Sequence, residues 1–181
     1  MKTLLKQPVA LLLDLDGTLV DSAPDIAAAL DATLSACGLP LAGIDNTRAW
    51  VGGGAPKLVT RALAALDPAG SQDHETVLAM LLEHYATQNG RHGAPYAGVT
   101  RTLRDCHDRG LLLACVTNKP AGLAEALLEQ YGVADCFRFT IGGDTLATKK
   151  PDPLPVTEAC RQLGTEAESA WMIGDSSADA G

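Results

Sequence analysis

The sequence predicts an α/β fold: a doubly wound parallel sheet with an all-helical block inserted after its first strand. Three observations carry that expectation. Three apolar runs without alternation, at 9–14, 111–117 and 170–175, end in Asp14, Thr117 and Asp175. Continuous apolar runs of this length suit strands buried on both faces, as in parallel sheets. Helical patterns alternate with the later runs, and a stretch from 22 to 95 is helical in pattern with no strand signal.

Each element follows in order. The run at 9–13 is far shorter than the roughly 20 residues a membrane-spanning helix needs, so it reads as a strand. Ser22-Ala23-Pro24-Asp25 reads as a capping box opening a helix to Cys37, which stops at Gly38-Leu39-Pro40. Further helices are expected over 54–66 and 73–88. A helix over 100–109 ends at Gly110, and one over 120–131 has Pro early and Gly132 just past its end. A weaker fourth strand is expected at 137–141, then a helix over 155–163 closed by Gly164. The expected organisation is an α/β core of residues 1–20 and 97–181 and a helical cap of residues 21–96. Ligands of such sheets sit at the carboxyl ends of the strands, so Asp14, Thr117 and Asp175 are expected to converge.

The 181 residues are 46% hydrophobic and 20% charged, ordinary for a globular chain. Fourteen Lys and Arg against 22 Asp and Glu leave a net charge of −8. Such a surface repels phosphate backbones and anionic membranes, so neither nucleic acid nor membrane is expected as a partner. Met1-Lys2-Thr3-Leu4-Leu5 superficially resembles the start of a signal peptide, but Lys6, Pro8 and Asp14 interrupt it. Cys37, Cys106, Cys115, Cys136 and Cys160 are an odd number without a C-x-x-C pair. They read as reduced thiols of a cytoplasmic protein, Cys115 as a core residue.

The strongest chemical signal is Asp14-Leu15-Asp16-Gly17-Thr18-Leu19-Val20-Asp21-Ser22. Two carboxylates at i and i+2 after a buried strand can both enter one site if the strand breaks, which Gly17 permits. D-x-D alone is a common polar turn; the longer pattern after an apolar strand is far more specific. Three more motifs follow in order. They are Val116-Thr117-Asn118-Lys119, Lys149-Lys150-Pro151-Asp152-Pro153 and Ile173-Gly174-Asp175-Ser176-Ser177-Ala178-Asp179.

On these four motifs the chain resembles the haloacid dehalogenase (HAD) superfamily of phosphohydrolases, with its Rossmann-like core. Within it, the chain is most similar to bacterial phosphoglycolate phosphatases. The supporting stretches are 21–25, Trp50-Val51-Gly52-Gly53-Gly54-Ala55, Thr117-Asn118-Lys119-Pro120 and Ile141-Gly142-Gly143-Asp144. The resemblance implies an Mg²⁺-dependent phosphatase for a small phosphorylated metabolite, 2-phosphoglycolate first, as a monomer or homodimer. It makes Asp14 the nucleophile that forms an aspartyl-phosphate and Asp16 the acid and base. It gives Mg²⁺ the Asp14 carboxylate, the Asp16 backbone carbonyl and the Asp175 carboxylate, a hard oxygen donor set. Thr117 holds phosphate oxygens with help from Gly17 and Asn118, Lys150 offsets negative charge, and Asp179 orients Lys150. Read from the residues alone, Val51-Gly52-Gly53-Gly54-Ala55 is either a loop in which Gly53 and Gly54 meet the substrate carboxylate at a helix N-terminus, with Arg48 and Lys57 weaker candidates, or a flexible interhelix turn. His74, His84, His92 and His107 lie outside the motifs.

The chain stops at Gly181, where family members continue with a helix, a strand and a helix. Either the C-terminal end of the core is truncated here, or the protein ends at this point and the strand ending at Asp175 becomes an uncovered apolar edge. The alternatives are another HAD phosphatase, a sugar-phosphate mutase, or a non-catalytic fragment. A phosphonate hydrolase would need Lys57 as its Schiff-base lysine, and a dehalogenase has no use for Asp16.

Overall fold

The structure is a computed structural model and describes residues 7–180. The signal-like stretch at 1–5 and the chain stop at Gly181 lie outside the described residues. In chain order the strands are β1 (Ala10–Leu13), β2 (Val20–Asp21), β3 (Ala94–Pro95), β4 (Leu112–Val116), β5 (Thr140–Ile141) and β6 (Ala170–Ile173). The helices are α1 (Ala23–Ala36), α2 (Gly43–Trp50), α3 (Ala55–Leu66) and α4 (His74–Gln88), then α5 (Val99–Asp108), α6 (Ala121–Gln130) and α7 (Leu154–Leu163). Val20–Pro95 forms one compact unit, and the chain up to Leu19 and from Tyr96 onward forms another.

The second of these is the α/β unit. Its sheet is parallel in the order β5-β4-β1-β6. Leu12 pairs with Ala114 on one side and Met172 on the other, so β1 lies between two neighbours and is buried throughout. Leu12, Ala114, Val116 and Ile141 pack with Ala159 and Cys160 of α7. Each fully buried Leu or Val is worth about 1.5–3 kcal/mol of transfer free energy. The expected burial on both faces holds for β1 and most of β4. It does not hold for β6, where Trp171 is 40% and Ile173 38% exposed. The reason is position: among the described residues β6 has β1 as its sole strand neighbour. The weaker strand expected over 137–141 shortens to β5: Thr140 and Ile141 pair in register with Cys115 and Val116, while Arg138 N–H and Phe139 O keep single backbone bonds to Leu113 O and Cys115 N–H.

The Val20–Pro95 unit is helical, with a two-stranded antiparallel ribbon at its ends. Ile26, Leu30 and Leu34 of α1 recur every fourth residue, as do Val77, Leu81 and Tyr85 of α4, and these apolar faces are buried. That is the helical period of a core-facing stripe. Three expectations are corrected here. No strand was expected in 22–95, yet β3 pairs with β2 through Val20↔Pro95 and Asp21↔Ala94. A helix absent from the expected set, α2, occupies Gly43–Trp50. Ser22 does not form a capping box: it has a helical backbone and its side chain makes no cap bond. The Asp25 carboxylate instead accepts from the backbone N–H groups of Gly90, His92 and Gly93 at 2.9, 2.6 and 3.0 Å. A buried carboxylate is better satisfied by three donors than by one.

Candidate active site

The site grows from the ends of the central strands. Asp14 continues the β1 ladder, its N–H bonding to Ile173 O at 2.9 Å, and the chain then leaves the sheet. Leu15 O accepts from both Thr18 and Leu19, closing a tight turn. Gly17 sits in that turn at φ +86°, and a Cβ there would overlap the Asp175 carboxylate. A side chain is thus excluded at 17 on two counts, conformation and space. Thr18 Oγ1 donates to Asp175 Oδ1 at 3.1 Å, fixing the second acid against the first turn.

Lys150 joins the acids. Its Nζ lies 3.0 Å from Asp14 Oδ1 and donates to Asp179 Oδ1 at 2.6 Å, with the side chain 3% exposed. Burial pushes the Asp14 carboxyl up to about 6, against the opposing pull of Lys150. Burial also acts on Asp179, but the hydrogen bonds from Lys150 and Ser176 outweigh it and hold that carboxyl below its ordinary value. Ser176 supplies both its N–H and its hydroxyl to Asp179 Oδ2, at 3.0 and 2.7 Å. This is a reciprocal cap of the short turn Ser177–Asp179.

The loop after β4 forms the third side. Thr117 is buried, and its N–H bonds to Ile141 O at 2.9 Å. Asn118 Nδ2 donates to Lys150 O at 3.0 Å, so the residue expected to meet substrate also ties the β4 loop to the lysine loop. The ammonium of Lys119 lies 3.2 Å from Asp16 Oδ1. The second motif contains Lys119 without giving it a role, and the first contains Thr18 likewise. A lysine so close behind a buried strand is a readable signal, because its charge needs a buried partner.

Asp14, Asp175 and Asp179 each bring a carboxylate oxygen within 4.8 Å of the others. This all-oxygen donor set fits a hard cation such as Mg²⁺. Asp14 and Asp175 are the better ligands, because both Asp179 oxygens already accept from Lys150 or Ser176. Gly53 and Gly54 belong to the helical unit. Gly54, at φ +81°, immediately precedes α3, and a Cβ on Gly53 would meet the stem of Lys57. Arg48 is held by Asp21 through two hydrogen bonds of 2.9 and 2.8 Å.

A family model for haloacid dehalogenase-like hydrolases matches residues 9–181. The chain is 43% identical over 177 residues to the phosphoglycolate phosphatase of Pseudomonas savastanoi pv. phaseolicola, covering 96% of this chain and 65% of the relative. A plasmid-borne phosphoglycolate phosphatase of Cupriavidus necator is 41% identical, covering 94% of this chain and 74% of the relative. Among solved structures, a protein from Haemophilus somnus described as "a predicted phosphoglycolate phosphatase" superposes with a TM-score of 0.87 at 30% identity. That match covers 96% of this chain and 80% of the other. The chain therefore spans about two thirds of the length of the Pseudomonas relative. On the match over residues 9–181, the chain belongs to the haloacid dehalogenase-like hydrolase family.

Proposed function

We propose that this chain carries the site of an Mg²⁺-dependent phosphatase that hydrolyses 2-phosphoglycolate through an aspartyl-phosphate. The observation that carries the reading is the convergence of Asp14, Lys150 and Asp175 at the carboxyl ends of β1 and β6. The relatives' named activity supports the choice of substrate. In the reading, Asp14 attacks phosphorus while the bond to the glycolate oxygen breaks. Asp16 gives its proton to that leaving oxygen. Water then attacks the aspartyl-phosphate, Asp16 takes its proton, and the bond from phosphorus to Asp14 breaks, releasing phosphate.

Lys150 and Thr117 hold the phosphoryl oxygens, and Asp179 keeps Lys150 in place. Asp14, the Asp16 carbonyl and Asp175 would hold the cation. When bound, it supplies the positive charge that lets two carboxylates and a phosphate share one site. Residues 21–96 act as a cap, with Gly53 and Gly54 reading the substrate carboxylate. The protein works in the cytoplasm, with no nucleic-acid or membrane partner, as a monomer or homodimer. Among the described residues no helix is long and apolar enough to cross a membrane.

Phosphate release by the purified chain, with Mg²⁺ and with EDTA, tests the reading. Release should depend on Mg²⁺ and vanish in Asp14→Asn. Turnover near the native rate in Asp14→Asn, or in metal-free buffer, would sink it. No release by the unaltered chain would favour the non-catalytic alternative.

A further inference from the structure

Among the described residues, two buried lysines of the α/β unit divide the two acids of the D-x-D turn between them. Lys150 takes Asp14, and Lys119 takes Asp16. The proposed mechanism gives Lys150 work but leaves Lys119 without any. Its placement is nonetheless strongly determined. The Lys119 side chain is 1% exposed and its Nζ lies 3.2 Å from Asp16 Oδ1, across 103 residues of sequence. Its backbone is fixed on both sides: its N–H donates to Thr117 Oγ1 at 3.3 Å, and its carbonyl accepts from Gly143 N–H at 2.8 Å. Gly143 can approach this closely only without a side chain, since a Cβ there would overlap Asn118 O. The loops after β4 and β5 are thus locked together, and the ammonium is delivered to one oxygen of Asp16.

We propose that Lys119 is a positioning residue for the acid–base step, holding Asp16 in the rotamer that reaches the leaving oxygen. This inference rests on the phosphatase reading above. An unheld carboxylate on a turn explores several rotamers, and a proton donor must lie within hydrogen-bond reach of the atom it serves. A buried ammonium without a counter-charge is costly, so the pair is mutually enforced. The contact falls on Oδ1, which leaves Oδ2 to carry the proton to the ester oxygen and later to take one from water. Lys119 itself need not touch substrate for this.

The test exploits leaving-group chemistry. A nitrophenolate leaves without a proton, whereas glycolate and ethoxide do not. The value of kcat/KM reports only the steps through formation of the aspartyl-phosphate. Lys119→Met keeps the buried stem and removes the charge. With Mg²⁺, it should lower kcat/KM by about 100-fold for both 2-phosphoglycolate and ethyl phosphate, the low end of acid–base effects. The loss for p-nitrophenyl phosphate should be at least ten times smaller, and Lys119→Arg should recover part of the alkyl-ester rate. An equal loss for all three esters would make the role purely structural and overturn the proposal. A loss confined to 2-phosphoglycolate would make Lys119 a carboxylate contact and also overturn it. Where Lys119→Met does not fold, the double variant with Asp16→Asn removes both buried charges and serves instead. It should turn over the alkyl esters no more slowly than Asp16→Asn alone, and a further loss would show that Lys119 acts independently of Asp16. No release of phosphate from any ester by the unaltered chain would instead overturn the phosphatase reading, and this inference with it.

Discussion

Asp14 shows how a buried acid strains the fold that holds it. Burial favours its neutral form and pushes its carboxyl up to about 6 from 3.8. The sign follows from linkage: a raised acid contributes stability that is fully present below 3.8 and is lost as pH rises through about 6. At pH 7 without metal, the folded chain therefore carries a penalty of about 3 kcal/mol. Asp14→Asn should abolish turnover yet raise the melting temperature of the metal-free chain at pH 7.5, with the gain shrinking towards pH 4. Melting curves in EDTA at the two pH values check this, and a lower melting point at pH 7.5 would contradict it. The two acids of the turn were legible because their spacing and the following glycine are local features. The pairing of Asp16 with Lys119 was not, because it joins positions 103 residues apart.

At the scale of elements, legibility tracked how strongly each segment carries its own pattern. The helices α1 and α4 bury a residue at every fourth position and announce themselves. The short α2 buries only Thr47, so it has no apolar stripe to read. The two residues of β3 are a strand only because β2 lies beside them. Asp25 misled for a related reason, since its donors lie 65 to 68 residues away. Asp25→Ala takes the buried acceptor away from those three N–H groups and should cost about 3 kcal/mol, read as a shift of the urea midpoint. A cost below about 0.5 kcal/mol would mean the loop finds other acceptors. The turn into α3 carries a functional prediction. Replacing Gly54, at φ +81°, with Val strains the backbone that presents the free N–H groups of that helix. Together with Gly53→Val, it should reduce activity towards 2-phosphoglycolate at least tenfold more than towards ethyl phosphate, which lacks the carboxylate. An equal loss for both esters would reduce the loop to a support for folding.

For the molecule as a whole, the net charge of −8 sets the problem the site must solve. An acidic chain gathers Asp14, Asp175 and Asp179 within 4.8 Å of one another and is expected to receive a doubly charged phosphate there. Lys150 offsets part of that charge, but it is shared between Asp14 and Asp179. Much of the remaining repulsion is lodged in the folded state, since unfolding separates Asp14 from Asp175 and Asp179, which lie far from it in sequence. A cation that binds the folded chain and not the unfolded one stabilises it by mass action, by about 2.7 kcal/mol at a hundred times its dissociation constant. For a chain of this length that corresponds to a rise of roughly 5–10 °C in melting temperature. Millimolar Mg²⁺ should therefore raise the melting point at constant ionic strength, whether or not substrate is present. Asp175→Ala removes one ligand and should abolish most of that rise, while Asp179→Asn, whose oxygens already serve Lys150 and Ser176, should leave most of it. A melting point indifferent to Mg²⁺ would remove the cation from the site. A rise that survives Asp175→Ala and is lost in Asp179→Asn would exchange the roles of the two acids.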